Sequence, residues 1–497
     1  MTTTSRSDAG DQDTERDRQR WHAFAVCIAV AGITIIDLST VNVALPSIQR
    51  SLGASNSELQ LIVAGYALAF GLALVPAGRL GDLRSRRLMF VVGLIAFTTA
   101  SLLCAIAPSI QVLVVTRILQ GFAAGTQMPQ VIGLVQQLFR GEERGRAFGI
   151  FGAMVGISTA LGPTIGGALI ALGGEQTGWR YIFWLNVPYG LAALYFAVRL
   201  LPRKRQDPSR DRELDLVGIV LLGVAVVTLM LPFVLTSGTG DSPLRWLALV
   251  GTAVSGALFV WWERHYAHTG RSPVVHFDLF RLSSYRNGLL IAAVYFAALP
   301  ATFLMVTLYL QEGLHLEPLF AGMVSIPFAA TAAAGAWFGG RLVNRIGRAL
   351  VVWGLCAVVV GFVALLVAAT TTPASITPWA MAGAFLIGGA GGGLVVSPNQ
   401  TLTLAQVPVE HSGVAGSMQQ LGQRVGTAIG TAVATSVFYG IVRSEDRKAG
   451  DLTAYHDAFR AGTAFTVGLV VLVLALAIVD LVSRKKRGEE TPVPQEA

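Results

Sequence analysis

Lysine is nearly absent from this chain: only four of its 37 basic residues are lysine, which reads as a nucleotide-composition bias and not as function. Charge of either sign is scarce as well, at 13% of 497 residues. No Gly-Lys pair occurs anywhere, which excludes the phosphate-binding loop that ends in Gly-Lys-Ser/Thr, and with it an ATP-driven pump of that kind. The three cysteines, Cys27, Cys104 and Cys356, sit far apart inside apolar runs, so neither a disulfide framework nor a metal-ligand spacing follows. The seven histidines fall mostly in tails, loops and helix ends without metal spacing, so the catalytic constellation of a membrane enzyme is missing too. No metal and no cofactor is expected. The first 20 residues have no apolar core or cleavage site, so no removable signal peptide is expected ahead of the first span.

What the chain has in abundance is apolar length. Hydrophobic residues make up 53%, and the mean hydropathy is +0.60. That composition specifies an all-α polytopic membrane protein whose first partner is the lipid bilayer. About 20 helical residues cross roughly 30 Å of hydrocarbon. Fourteen such segments are expected, from Trp21–Leu45 and Glu58–Ala77 through Ile110–Phe139, Ala147–Leu172 and Trp179–Leu201 to Gly413–Val442 and Phe459–Val482.

An even number of spans puts both ends on one side. With both termini cytoplasmic, 28 Lys/Arg fall on inner tails and loops and 7 on outer loops, and Arg117 and Arg424 remain within helices. The inner loop Arg199–Arg212 alone holds six, whereas the outer loop Arg443–Arg460 is an exception with four. This asymmetry accounts for the net charge of +8, so no nucleic-acid partner is implied.

Internal echoes point to two halves. GRLGDLRSRR from Gly78 returns as GRLVNRIGR from Gly340, 262 residues later, and Glu143, Ala147 and Gly149 return as Glu410, Val414 and Gly416, 267 residues later. The expected plan is a tail (1–20), a six-helix bundle (21–201), a linker with two inserted helices (202–284), a second six-helix bundle (285–483) and a tail (484–497).

The stretch Gly149–Gly167, GIFGAMVGISTALGPTIGG, is too apolar for a loop and too rich in glycine for an ordinary helix. Gly149, Gly152 and Gly156 share one helical face and invite close approach by another helix, while Pro163 adds a kink that lipid-embedded helices tolerate. An acid, Asp37, and a base, Arg117, lie inside spans, where a charge costs about 2.5–3.5 kcal/mol unless it is paired. Asp37 precedes Pro46 by nine residues and Arg117 follows Ile110 by seven, so at about 1.5 Å per residue both lie roughly 10–14 Å below the outer surface. Such a pair could neutralise itself in one state and separate in another. Gln120 shares a helical face with Arg117; Asn42, Asn399, Gln400 and Arg424 are further polar residues that could line a substrate pathway. The bland alternatives are a purely structural acid at Asp37, an arginine snorkelling outward at Arg117, and helix-to-helix bonds for the amides. Glu312 reads best as a solvated boundary acid.

Several of these segments resemble the fourteen-helix drug/proton antiporters of the major facilitator superfamily. Gly149, Gly162, Pro163, Gly166 and Gly167 match the antiporter motif of the fifth helix, with Ser158 where a glycine is usual. Gly78, Leu80, Asp82, Arg86 and Arg87 match the loop signature G-x-L-A-D-R-x-G-R-K, from which Leu83 and Ser85 depart. Arg117, Gln120 and Gly121 match R-x-x-Q-G; Asp37, Thr40, Asn42, Ala44, Leu45 and Pro46 match a first-helix motif; and WRYIFWLNVPYG from Trp179 matches W-R-x-I-F-x-I-N-x-P-x-G. The resemblance implies two six-helix halves rocking about a central cavity. It also implies a monomer that exports a drug or other small amphiphilic compound in exchange for protons, needing no cofactor beyond the proton gradient. It makes Asp37 and Arg117 the proton-coupling pair, and Gly78, Asp82, Arg86, Arg87, Gly162, Pro163, Gly166 and Gly167 the gating set. A dedicated exporter of one metabolite and a proton-coupled nutrient symporter remain open alternatives.

Overall fold

The computed structural model describes residues 4–202, 214–234, 243–444 and 452–487, and among these it is built of helices and their connections, with no strand. Loop Arg199–Arg212 from residue 203 onward, the outer connection over 445–451 and the tail beyond 487 lie outside the described residues.

Fourteen long helices follow one another. They are α1 (Thr4–Leu52), α2 (Asn56–Leu83), α3 (Arg86–Ala105), α4 (Ile110–Leu138), α5 (Gly141–Gly174), α6 (Gln176–Leu200) and α7 (Leu216–Val234), then α8 (Ala248–His268), α9 (Ser283–Leu308), α10 (Ile326–Ile346), α11 (Arg348–Thr371), α12 (Thr377–Leu404), α13 (Ser412–Ser444) and α14 (Leu452–Arg487). Short serine-led turns start three of them. Ser55 caps α2 in a capping box with Glu58, Ser85 accepts from Leu88 N, and Ser109 accepts from Val112 N. Between α5 and α6 the chain turns at Gly174 alone, whose φ of 74° lies in the left-handed region that glycine occupies without strain.

By length and composition, thirteen helical stretches among the described residues are apolar enough to cross a membrane. The long helix outside that set is α4, because its 29 residues carry Arg117 and the buried Gln120, Gln127, Gln130 and Gln136. Its polarity faces protein, not lipid: Gln127 donates to Thr34 Oγ1 of α1 at 2.8 Å and Gln130 to Ala77 O of α2 at 2.8 Å. With α4 included, the fourteen expected spans are all present, and α1, α2, α5, α11 and α14 run a turn or more beyond the apolar cores that marked them.

Contacts sort the helices into α1–α6 and α9–α14, with α7 leaning on the seam between α2 and α13 and α8 leaning on α7. Both chain ends emerge on one side of the bundle. Arg20 of α1 pairs with Glu143 at the start of α5, Asn344 at the end of α10 reaches Gly141 O at 3.3 Å, and Arg348 meets Asp480 near the end of α14 at 3.0 Å. That side is called the tail side below.

Candidate functional site

On the tail side the two helix groups cross at two places, related by the sequence echo. Gly145 and Gly149 of α5 lie against Gly340 of α10, so closely that a Cβ on Gly149 would stand 2.9 Å from Ala336 O and 3.0 Å from Gly340 Cα. Gly78 of α2 lies against Gly413 and Ser417 of α13, where its Cβ would stand 2.7 Å from Gly413 O. The face expected from Gly149, Gly152 and Gly156 is thus a real interhelical surface, turned toward α10 and α12.

The Gly78 loop latches the second crossing. Asp82 accepts from the backbone amides of Gly413 and Val414 at 3.1 and 3.0 Å, at the amino end of α13 where unpaired amides and the helix dipole favour a carboxylate. Arg86 binds Asp82 at 2.9 Å, Ser412 Oγ at 2.9 Å, Gly133 O at 3.1 Å and also Val409 O. Arg87 turns away to Val198 O of α6. Sequence reasoning missed Arg79, which donates to Ser272 Oγ at 2.6 Å and ties the connection between α8 and α9 to this latch. Beside it the His276 ring stands 4.1 Å from that of His411; burial, then His411 and Arg79, pushes His276 down to about 4. His276 therefore sits uncharged next to the arginine at neutral pH.

Deeper in the first group lies a closed polar cluster. Arg117 Nη1 of α4 donates to Asp37 Oδ2 of α1 at 2.8 Å and to Gln120 Oε1 at 2.7 Å. The second carboxylate oxygen of Asp37 accepts from Gln120 at 3.0 Å and from Asn186 of α6 at 2.6 Å. Asp37 is 1% exposed, and Arg117 and Gln120 are fully enclosed. The remaining guanidinium edge is covered by the Tyr66 ring, 4.2 Å away. Snorkelling is thereby excluded for Arg117. Asn186 and Ser101, which binds Gln120 at 2.8 Å, were not singled out from sequence; the signal for Asn186 was its place in the Trp179 segment.

The other expected pathway residues do not join this cluster. Asn42 is exposed and turns its amide back to Leu38 O at 3.4 Å. Asn399 is enclosed in a tail-side brace, taking Arg348 at 2.6 Å and donating to Gly288 O at 2.9 Å, so its side chain is committed to packing. Gln400 is buried with its Nε2 unpaired. Arg424 of α13 stands over Phe70 of α2 at 4.5 Å. Glu312 is half-buried and accepts from Tyr439 at 2.6 Å.

The glycines beyond Gly156 face the other way. A Cβ on Gly162 would strike Ser39 Cβ, and one on Gly166 would lie 3.2 Å from Thr40 Cα, so the segment around Pro163 rests on the turn of α1 that carries Asp37; Gly167 faces open space. Gly162→Leu should therefore push α1 off α5 and lower transport at least tenfold with near-normal yield, as read by substrate flux normalised to purified protein. Full flux would make this contact ordinary packing.

The family model described as Major Facilitator Superfamily matches residues 27–431. The chain belongs to this superfamily. It is a multi-pass membrane transporter acting on small substrates, not an enzyme. A probable actinorhodin transporter of Streptomyces coelicolor is 32% identical over 86% of this chain and 74% of its own length. The puromycin resistance protein pur8 of Streptomyces alboniger is 32% identical over 96% and 94%, and the multidrug resistance protein Stp of Mycobacterium tuberculosis 34% over 77% and 69%. The human organic anion transporter MFSD10 shares the fold, with a TM-score of 0.67 at 16% identity over 92% of this chain and 99% of that one. The transporter's relatives are thus exporters linked to antibiotic and multidrug resistance.

Proposed function

We propose that this transporter is a proton-coupled antiporter that expels drugs or other amphiphilic organic compounds across the cytoplasmic membrane by alternating access, with its tail side in the cytoplasm. The observation that carries the reading is the sealed Asp37–Arg117–Gln120–Asn186 cluster. Three donors from α4 and α6 converge on one carboxylate of α1, so these helices cannot shift without breaking bonds to it. A change in packing between α1 and α4 is, on this reading, the step that takes up or releases a proton. The positive-inside asymmetry supports the orientation, and each charge crossing 100 mV supplies about 2.3 kcal/mol for uphill export. The Asp82 and Arg86 latch belongs to the state closed toward the tails, and the paired crossings at Gly78 and Gly340 would part in the other state.

The test is efflux of a panel of dyes and amphiphilic antibiotics from cells overproducing the protein, with and without an uncoupler. Export should be collapsed by the uncoupler, and in energised inverted vesicles added substrate should draw protons out of the acid lumen. Efflux that is indifferent to the uncoupler would overturn the coupling. A dedicated exporter of one metabolite is favoured by the tetracenomycin C resistance and export protein of Streptomyces glaucescens, 30% identical over 84% of this chain; a panel in which a single compound moves would select that reading.

A further inference from the structure

Resting on the export reading, the charge balance of the seam between the helix groups narrows the substrate. The helix α13 presents Gly422, Gly426 and Gly430 to α9, where Cβ atoms on the last two would strike Ala293 O and Ala297 O. At about 100° per residue, position 424 lies on the opposite face from 426. Arg424 accordingly leaves α13 toward α2, over Phe70. Seven residues nearer the tail side, about 10 Å, Ser417 closes against Gly78, so Arg424 stands just beyond the closure.

Three other interior arginines have acids: Arg117 has Asp37, Arg86 has Asp82, and Arg348 has Asp480. Among the described residues Arg424 has no carboxylate and no hydrogen-bond acceptor. Arg424 as a whole residue is half-buried. A second observation points the same way. Tyr66, one turn before Phe70 on α2, is 2% exposed, and its hydroxyl has no hydrogen-bond partner. An enclosed, unpaired hydroxyl costs about 1–3 kcal/mol, and an unpaired guanidinium within a span more. Both costs are removed by one acceptor that reaches the two donors together. Between those donors lie the Tyr66 and Phe70 rings, with centroids 6.2 Å apart and planes 27° from parallel. Both rings are enclosed in this packing, at 2% and 1% exposure, so they face a ligand only when α2 and α13 part.

We propose that Arg424 and Tyr66 form an anion-selecting subsite of the transport pathway, taking aromatic compounds that carry a carboxylate or phenolate: the acid meets the guanidinium and the hydroxyl, and the ring lies along Phe70. Tyr66 also covers Arg117 with its other face, so an anion seated on the Tyr66 hydroxyl acts directly on the environment of the Asp37 pair. Substrate and proton sites share one side chain.

The purified full-length protein in lipid nanodiscs is titrated with fluorescein and rhodamine 6G, which carry opposite charge on the same xanthene frame, and binding is read by fluorescence anisotropy. The wild type should prefer fluorescein at least tenfold. Arg424→Gln should erase that preference, Arg424→Lys should restore most of it, and Tyr66→Phe should weaken fluorescein binding several-fold. Monodisperse elution of each variant is the check on folding, and if Arg424→Gln fails it, Arg424→Lys and Tyr66→Phe decide. A wild type that favours rhodamine 6G, binds neither dye, or keeps its preference in folded Arg424→Gln or Tyr66→Phe overturns the subsite. Uncoupler-sensitive efflux of either dye separates the two ideas: with it, export stands whichever charge is favoured; fluorescein preference without it keeps the subsite and removes the export reading.

Discussion

Asp37→Asn should abolish proton-coupled efflux while leaving the protein folded and produced at near wild-type yield. The substitution preserves shape, and an asparagine carbonyl still accepts from Arg117 or Gln120, which stand 2.8 and 3.0 Å from the carboxylate oxygens. What disappears is the group that binds and releases a proton. Removing the partner instead leaves a charge enclosed and unpaired, which costs about 3–5 kcal/mol. Arg117→Ala should therefore be as inactive as Asp37→Asn but should also lower the melting temperature, whereas Asp37→Asn should lower it little. The measurement is substrate-induced proton release from purified protein in weakly buffered detergent, alongside uncoupler-sensitive efflux. A variant that exports at the wild-type rate and still releases protons on substrate addition would place the coupling group elsewhere; loss of folded Asp37→Asn protein would make the acid structural.

Gly340→Leu should reduce export at least a hundredfold by a different route. A Cβ at this position would stand 2.6 Å from Gly149 Cα and would meet the Gly145 carbonyl, so the obstruction is backbone, which cannot rotate away. The cores of the two helix groups do not pass through this contact, so each should fold normally. The tail-side seal should fail, and the protein should dwell in the state open toward the tails. Ser417 reports on it: it is fully buried at the Gly78 crossing, and a cysteine placed there in a Cys356→Ser background should be slow to label in wild type and fast in Gly340→Leu. Equal labelling rates would show that the two crossings open independently.

Most of the architecture was legible because lipid imposes a coarse rule on sequence: apolar stretches of one length, with basic residues between them. The rule reaches even a helix shielded from lipid: Ile110–Phe139 reads as a span on apolar length, although Arg117 and the buried glutamines leave α4 outside the thirteen most apolar stretches. The depth argument placed Asp37 and Arg117 together because each lies in an unbroken helix, along which residues can be counted at about 1.5 Å apiece. It could not find Asn186, which reaches Asp37 from 149 residues away through the turn at Gly174. Polar type misled at Asn399, where an amide in a glycine-rich helix serves Arg348, a residue of the repeated loop whose charge had no visible partner until Asp480 arrived from α14. Tyr66 gave no signal at all, since a tyrosine in an apolar run reads as packing and only an unsatisfied hydroxyl in three dimensions marks it out.

The ion pair between α1 and α4 has a consequence for biosynthesis. Asp37 leaves the ribosome 80 residues ahead of Arg117, which at about 5–20 residues per second is a wait of roughly 4–16 s. During that interval α1 holds an acid with no base. When α4 arrives it carries a guanidinium that is costly to bring into hydrocarbon alone. Each helix holds what the other lacks, and the partner of Arg117 is already in place before Arg117 is made.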